Sequence, residues 1–181
     1  MTLKVIRDNL LVTFAPHFTK ETAMILRSEG NRLFIENQEV CEYVGTHMSD
    51  GPAHHQKIAC VGRSPKDARI ISADATGQVK IWDPSRPNPE KRIWGGEGYK
   101  DTTAVGITDD GKRIAIAVGL TIGIYDVEQQ HGKSKKIGDG LLPLNERITL
   151  LQFIDDEHIT CHDSAGNKLV FERTPAWQIK K

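Results

Sequence analysis

Short segments of alternating apolar and polar residues, separated by turn-forming residues, run along most of the chain. In the middle of the sequence they are residues 57–61, 69–73 and 79–82, followed by a fourth segment around 91–94. Alternation with a period of two is typical of a β-strand with one buried face. The pattern therefore predicts a three-stranded antiparallel meander. A fourth strand follows a connector whose three prolines oppose both a helix and a central strand.

The same layout recurs in three further units. Their strand candidates are residues 10–15, 23–27, 32–35 and 40–44, then 103–107, 113–118 and 121–125, and finally 148–153, 158–162 and 169–171. Glu36, Asp83, Asp126 and Glu172 each close a third strand, and they follow one another at intervals of 43 to 47 residues. Repeats of about 40 to 45 residues are typical of four-stranded propeller blades. We predict one domain over residues 1–181 with four units, at 1–45, 54–95, 100–138 and 146–181.

The second unit resembles a WD repeat. The resemblance rests on residues 55–61 and on residues 71–83, a segment that ends in Trp82-Asp83. It implies an all-β fold, a WD-type β-propeller of about four four-stranded antiparallel blades. In such a blade the first strand lines the central channel, the Trp-Asp pair closes the third strand, and the fourth strand lies on the rim.

The resemblance also implies a hydrogen-bond network inside the blade. In that family a histidine before the first strand, a serine on the second, an aspartate in the next turn and the tryptophan share this network. Here His55 (or His54), Ser72 and Trp82 match the places of the histidine, the serine and the tryptophan. Thr76 holds the turn position and Asp74 lies two residues earlier, which predicts an incomplete network.

The number of units bears on how the ring closes. Propellers have about four to eight blades, and an open end presents unpaired strand edges to other chains. The chain could be part of a larger propeller, an open array completed by a partner chain, or a small closed ring. We favour an incomplete propeller that leaves strand edges available for pairing with a partner.

Composition narrows the classes of partner. Lys and Arg number 24 and Asp and Glu number 24, so the formal charge is zero and we expect neither nucleic acid nor a membrane as a partner. No apolar run approaches the roughly 20 residues of a membrane-spanning helix. Cys41, Cys60 and Cys161 are odd in number and widely spaced, which fits no disulfide framework. We expect a reducing compartment, the cytoplasm, with the nucleus as the alternative.

Candidate catalytic and metal-binding residues lack the required spacing. His158 and His162 are four residues apart, a spacing that places two ligands together on a helix rather than on a strand. Cys161 and Asp163 flank His162, but neighbours on a strand point to opposite faces, so adjacency makes no catalytic pair. We therefore predict no enzyme activity, no cofactor and no metal site.

These observations predict a non-catalytic scaffold that binds other proteins through loops held on rigid blades. The loops are residues 45–52, 84–89 and 128–142. The side chains in or beside them that we expect to contact a partner are Asp50, His54, Arg86, Asn88, Gln130 and Lys133.

Two alternative functions stay open. Residues 54–65 and the segment Ser72-Ala73-Asp74 resemble the actin-interacting protein one family, a double-propeller factor that helps cofilin dismantle actin filaments. The other alternative is a propeller hydrolase with a metal at the channel mouth. A hydrolase requires polar groups that converge there, whereas the predicted first strands share no repeated His, Asp or Glu.

Overall fold

The strands of the chain form four antiparallel sheets that follow one another along the sequence. The computed structural model describes residues 10–11, 24–44, 49–66, 68–88, 91–128, 133–141, 146–174 and 176–179. Within these ranges the regular secondary structure consists of β-strands alone, which confirms the prediction of an all-β chain for this part of the molecule.

Each sheet is a meander whose strand order equals the chain order. The first sheet has five strands: β1 (Leu10–Leu11), β2 (Leu26–Glu29), β3 (Arg32–Ile35), β4 (Gln38–Val44) and β5 (Ser49–Pro52). The second has four: β6 (Ile58–Arg63), β7 (Ile70–Asp74), β8 (Val79–Trp82) and β9 (Arg92–Gly96). The third contains β10 (Thr102–Ile107), β11 (Arg113–Val118), β12 (Thr121–Glu128) and β13 (Lys133–Leu141). The fourth contains β14 (Ile148–Phe153), β15 (His158–Asp163), β16 (Lys168–Thr174) and β17 (Ala176–Ile179).

Two predicted loops contain strands instead. The predicted loop 45–52 includes β5, which pairs with β4, and the predicted loop 128–142 includes β13, which pairs with β12 along its whole length. Both are outermost strands with polar sequences, Ser-Asp-Gly-Pro in β5 and a lysine- and glycine-rich run in β13. An edge strand needs no alternating apolar pattern and tolerates lysine and proline, so neither strand shows the period that reveals buried strands.

The sheets pack face to face, and the first strands of the second, third and fourth sheets lie next to one another. The first strand of the third sheet, β10, contacts both β6 and β14. Three apolar layers fill the spaces between sheets, and each layer combines residues of two successive sheets. Leu33 and Trp82 belong to the layer between the first two sheets, Ile81 and Ile107 to the next, and Ile124, Phe153 and Ile159 to the last.

Glycines on the first strands allow this close approach. A Cβ atom on Gly62 of β6 would lie 2.4 Å from the backbone oxygen of Val105 on β10. A Cβ atom on Gly106 of β10 would lie 3.1 Å from the backbone oxygen of Leu151 on β14. Backbone therefore packs against backbone where the first strands meet, and a side chain at Gly62 would force them apart.

Backbone hydrogen bonds connect each sheet to the next at equivalent positions. The glycine two residues before the third strand accepts a hydrogen bond from an N–H of the first residue of the following sheet or, for Tyr99, of a residue just before that sheet. These bonds join Gly30 to Ile58 at 2.8 Å, Gly77 to Tyr99 at 3.1 Å and Gly119 to Ile148 at 3.1 Å. All three glycines have a positive φ, 58°, 86° and 61°, which a side chain would strain. The repeat seen in the sequence is thus also a repeat of contacts between sheets.

Candidate functional site

A chain of buried polar side chains crosses the second sheet. The hydroxyl oxygen of Ser72 on β7 lies 2.7 Å from His54 Nε2 and accepts a hydrogen bond from Trp82 Nε1 at 2.8 Å. His54 Nδ1 lies 3.2 Å from a carboxylate oxygen of Asp74. His54, Ser72 and Trp82 are 0% exposed and Asp74 is 2% exposed. All four are therefore partners in one network that is shielded from water.

The chemistry of these groups fixes the direction of each hydrogen bond. A carboxylate only accepts, so His54 Nδ1 donates to Asp74. In the neutral imidazole, Nε2 then accepts the hydrogen bond of the Ser72 hydroxyl. The same hydroxyl oxygen accepts from the indole of Trp82. Every polar side-chain atom along this path has a partner, as burial demands.

The structure decides between the two histidines and corrects the expectation of an incomplete network. The histidine of the network is His54, which is buried and bonds Ser72 and Asp74, whereas His55 is exposed. The network is also complete, because Asp74 reaches His54 although it lies two residues before the expected position. The other carboxylate oxygen of Asp74 accepts hydrogen bonds from the backbone N–H groups of Thr76 and Gln78, which stabilises the turn between β7 and β8.

The acid of the network is held in its charged form. Burial alone would raise the pKa of Asp74, but the hydrogen bonds from Thr76 and Gln78 and the nearby His54 outweigh it, so the pKa lies below its ordinary value. A charged carboxylate strengthens the bond that it accepts from the imidazole. The network therefore holds Trp82 in a fixed position through Ser72 and His54.

Asp83, the acid of the Trp-Asp pair, lies outside this network. One carboxylate oxygen accepts hydrogen bonds from the backbone N–H and the hydroxyl of Ser85, at 3.0 and 2.5 Å. The other lies 3.4 Å from a guanidinium nitrogen of Arg69 and 3.5 Å from one of Arg86. Burial would raise the pKa of Asp83, but these partners hold it below its ordinary value. Asp83 thus stabilises the turn that follows β8.

Lys80 is a buried charge that sequence reasoning missed. The residue lies in the middle of β8 and is 1% exposed, and its ammonium group donates a hydrogen bond to the carbonyl oxygen of Ala53 at 2.8 Å. A fully buried lysine is rare unless it is paired. The only sign of this burial in the sequence is the position of Lys80 between the core residues Val79 and Ile81. Successive side chains of a strand point to opposite faces, so Lys80 lies on the other face of β8, which is also buried.

The structure places the predicted partner-binding residues in different surroundings. Arg86 and Lys133 are exposed, whereas His54 is buried and unable to reach a partner, which corrects its assignment to a binding loop. Asn88 donates a hydrogen bond to the backbone oxygen of Glu39 at 2.7 Å, so it joins its connector to the first sheet. The backbone of Asp50 belongs to β5, and its side chain is not described. Gln130 lies outside the described residues.

The candidate metal and catalytic groups do not converge. In the part of the chain that the structure describes, no three His, Cys, Asp or Glu side chains are placed to hold a metal ion. His158 and His162 lie at opposite ends of β15, and His158 Nδ1 bonds the carboxylate of Asp155 at 2.8 Å. Cys161 belongs to the apolar layer between the third and fourth sheets, and burial raises its pKa to about 11. A thiol with a raised pKa forms little thiolate near neutral pH, so Cys161 is a poor nucleophile.

A cavity lies on the outer part of the second sheet. Its volume is about 370 Å³, and its lining residues are Gln78, Lys80, Arg92, Ile93, Trp94, Gly95, Gly96 and Glu97. Two buried side-chain atoms in this lining, Gln78 Oε1 and Trp94 Nε1, have no hydrogen-bond partner. The cavity is thus the place in the described chain where a buried donor and a buried acceptor without partners lie among the lining residues.

No protein-family model matches the sequence, and no curated protein matches it either. Over the residues that the structure describes, no helix has the length and apolar character to cross a membrane.

Proposed function

We propose that this chain is a non-catalytic, protein-binding scaffold of the WD-repeat β-propeller type, working in the cytoplasm or nucleus. The observation that carries the proposal is the buried chain of His54, Ser72 and Trp82, completed by Asp74. A network of these residue types is what the resemblance to WD repeats implies for a blade. The contacts between successive sheets, which repeat at equivalent glycines, support the same reading.

The physical properties of the stack suit a binding role. Polar side chains buried within the second sheet are used to hold the sheet together. Exposed charged groups include Arg86, in the connector after β8, and Lys133, at the start of β13. A rigid frame keeps such groups in place before a partner arrives, so less conformational entropy is lost on binding.

The outer face of the fourth sheet supports the idea of an incomplete propeller that a partner chain completes. On the second and third sheets the face toward the following sheet is buried. Gly62 on β6 lies against β10, and Gly106 on β10 lies against β14. On β14 the equivalent position holds Gln152, which is half-buried, as are its neighbours Leu150 and Val170. A mixed, half-buried face suits a surface that another chain covers and that tolerates water in its absence.

The test begins with the chain as bait. Proteins captured from a cell extract are identified and purified, and their dissociation constants are measured for the wild type, for Arg86→Ala with Lys133→Ala, and for the control Lys112→Ala. We expect the double variant to weaken binding at least tenfold and the control, an exposed lysine in the β10–β11 turn, to leave it unchanged. The absence of any saturable partner would overturn the proposal.

The two other functions give distinct results in the same set of assays. Turnover in a hydrolase screen, with bound metal and loss of both on His162→Ala, would replace the scaffold by an enzyme. Cosedimentation with cofilin-decorated actin filaments would assign the narrower actin-related function, and no enrichment in the pellet would remove it.

A further inference from the structure

The first and fourth sheets each have one face without a neighbouring sheet. In the described part of the chain the three apolar layers lie between successive sheets, and no further layer joins the fourth sheet to the first. We call these two faces the end faces. Alternation along the strands places them opposite the layer residues Leu26 and Leu33 in the first sheet and Phe153 and Ile159 in the fourth. The first-sheet end face carries Ile25, Arg27, Arg32 and Phe34, and the fourth-sheet end face carries Leu150, Gln152, Ile154 and Val170.

Each end face exposes one isoleucine at the same end of its sheet. Ile25 is 45% exposed and Ile154 is 51% exposed, two of the four large apolar side chains that the described residues leave exposed. Ile25 lies at the end of β2 remote from Gly30, and Ile154 lies at the end of β14 remote from Gly166, the glycine two residues before the third strand of its sheet. Two such side chains that faced each other would shield each other from water.

Turns at this end already join neighbouring sheets inside the stack. The backbone N–H of Lys66, in the β6–β7 turn, donates to the carboxylate of Asp109, in the β10–β11 turn, at 2.8 Å. Arg113 donates to a backbone oxygen of the β14–β15 turn at 3.0 Å. A further sheet that stacked on the fourth in the same way would be in contact at this end too. If that sheet were the first sheet of a second chain, its Ile25 would lie level with Ile154.

The rest of the first-sheet end face is polar, but its arginines are paired. The guanidinium group of Arg27 lies 4.2 Å from the centre of the Phe34 ring, and that of Arg32 lies 5.2 Å from it. Arg27 pairs with Glu29, and Arg32 donates to Glu39 at 2.8 Å. A guanidinium group is weakly hydrated and stacks on aromatic faces, and arginine is enriched in protein interfaces. This face can therefore be covered by another chain without the burial of an unpaired arginine.

The fourth-sheet end face combines apolar and polar side chains. Leu150 and Val170 are half-buried, although no described residue of another sheet forms a layer with them. Gln152 is the fifth residue of its first strand, the position that glycine occupies in β6 and β10. Its side chain keeps a strand of another chain farther from β14 than the inner first strands are from one another. A contact on this face is therefore looser than the contacts inside the stack.

The end faces offer enough area for a stable dimer when both are used. Four strands spaced about 4.8 Å apart, with about five residues each at about 3.3 Å per residue, make a face of about 300 Å². A ring of two chains has two contacts with two faces each, which is about 1,200 Å² and reaches the lower limit of a standard specific interface. One contact alone would bury about half of that area, which is typical of crystal packing.

We infer that two copies of this chain associate head to tail, with the fourth-sheet end face of each on the first-sheet end face of the other. The two contacts are equivalent, so the ring of eight sheets closes with twofold symmetry, and propellers of about four to eight blades are known. The inference rests on the proposed function, because it names a second copy as the chain that completes the propeller. Arg86 and Lys133 lie on neither end face, so other partners can still bind there.

The experiment is sedimentation equilibrium of the folded 181-residue chain at concentrations from about 1 to about 200 µM. We expect the mass to rise with concentration from that of one chain to that of two. Ile25→Arg and Ile154→Arg each place an unpaired charge in both contacts of the ring, and each should weaken association at least tenfold. Leu141→Arg is the matched control and should leave association unchanged, because Leu141 is 74% exposed but lies on the outer strand of the third sheet. All three positions are exposed, so the variants should keep the circular dichroism spectrum of the wild type.

A mixture of the two interface variants tests the head-to-tail arrangement. Each variant alone carries its arginine in both contacts of the ring. In a mixed pair, the fourth sheet of the Ile25→Arg chain meets the first sheet of the Ile154→Arg chain, and this contact is wholly wild type. The equimolar mixture should therefore associate more strongly than either variant alone.

Three results would each overturn the inference: a wild-type chain that stays monomeric up to about 200 µM, an interface variant that associates as well as the control, or a mixture no stronger than its components. The scaffold proposal is tested separately, by the captured partner and the Arg86 and Lys133 variants. A monomeric chain that binds a captured protein would remove the second copy and keep the scaffold. A dimer that captures no other protein would do the reverse, so the two failures are distinguishable.

Discussion

Removal of the Ser72 hydroxyl tests the buried network most sharply. Its oxygen accepts a hydrogen bond from Trp82 Nε1, and its proton goes to His54 Nε2, with all three side chains sealed from water. Ser72→Ala leaves both nitrogens buried and without a partner, because alanine neither donates nor accepts. Each orphaned group costs about 1–3 kcal/mol, so we expect the variant to lose about 2–6 kcal/mol of unfolding free energy.

The assay is equilibrium unfolding in urea, followed by tryptophan fluorescence and far-ultraviolet circular dichroism. Ser164→Ala is the matched control, because Ser164 is exposed and bonds only a surface carboxylate, that of Glu146, through its side chain. We expect the control to change the unfolding free energy by less than about 0.5 kcal/mol.

A double-mutant cycle with Trp82→Phe isolates the bond between Ser72 and Trp82. Phenylalanine has no donor, so Trp82→Phe should cost about 1–2 kcal/mol less in the Ser72→Ala background than in the wild type. Additive effects of the two changes, or a Ser72→Ala variant as stable as the control, would refute the network as an energetic unit.

Three further predictions concern packing, pH and thiol reactivity. Gly62→Ala forces a Cβ atom against the backbone of the third sheet and should destabilise the chain by about 2 kcal/mol or more in urea, with a smaller loss for Gly106→Ala, where the nearest atom is farther away; equal losses would contradict this order. The lowered pKa of Asp74 adds folding stability that is complete above its unfolded pKa of about 3.9 and is lost as the pH falls through the folded value. Asp74→Asn should therefore have a smaller unfolding free energy than the wild type at pH 7, and that free energy should fall less between pH 5 and 3. A variant whose unfolding free energy has the same pH slope as the wild type would contradict this expectation. Burial raises the pKa of Cys60 to about 12 and that of Cys161 to about 11, so mass spectrometry after iodoacetamide treatment at pH 8 should find neither alkylated before unfolding.

Much of the strand pattern could be predicted from the sequence because buried strands leave a periodic record. Short apolar segments around Ile71 and Ile81, bounded by turn residues, locate β7 and β8, although both strands are buried on the two faces of the sheet and not on one. The edge strand β13 leaves no such record, because one of its sides has no neighbouring strand and its composition is set by solubility. The choice of His54 over its neighbour depends on which way a short connecting segment turns, and Asp74 reaches that histidine across 20 positions of sequence. These are properties of tertiary packing that local patterns do not contain.

The central claim is that local antiparallel sheets stack with their first strands in backbone contact. The most direct measurement is a nuclear Overhauser spectrum of the isotope-labelled chain, which detects protons within about 5 Å of one another. The account predicts cross-peaks between Gly62 and Val105 and between Gly106 and Leu151, in addition to the cross-strand peaks within each sheet. Cross-peaks within the sheets without these cross-peaks between sheets would show that the four units fold but do not stack. The scaffold proposal would then lack the rigid stack of sheets on which it depends.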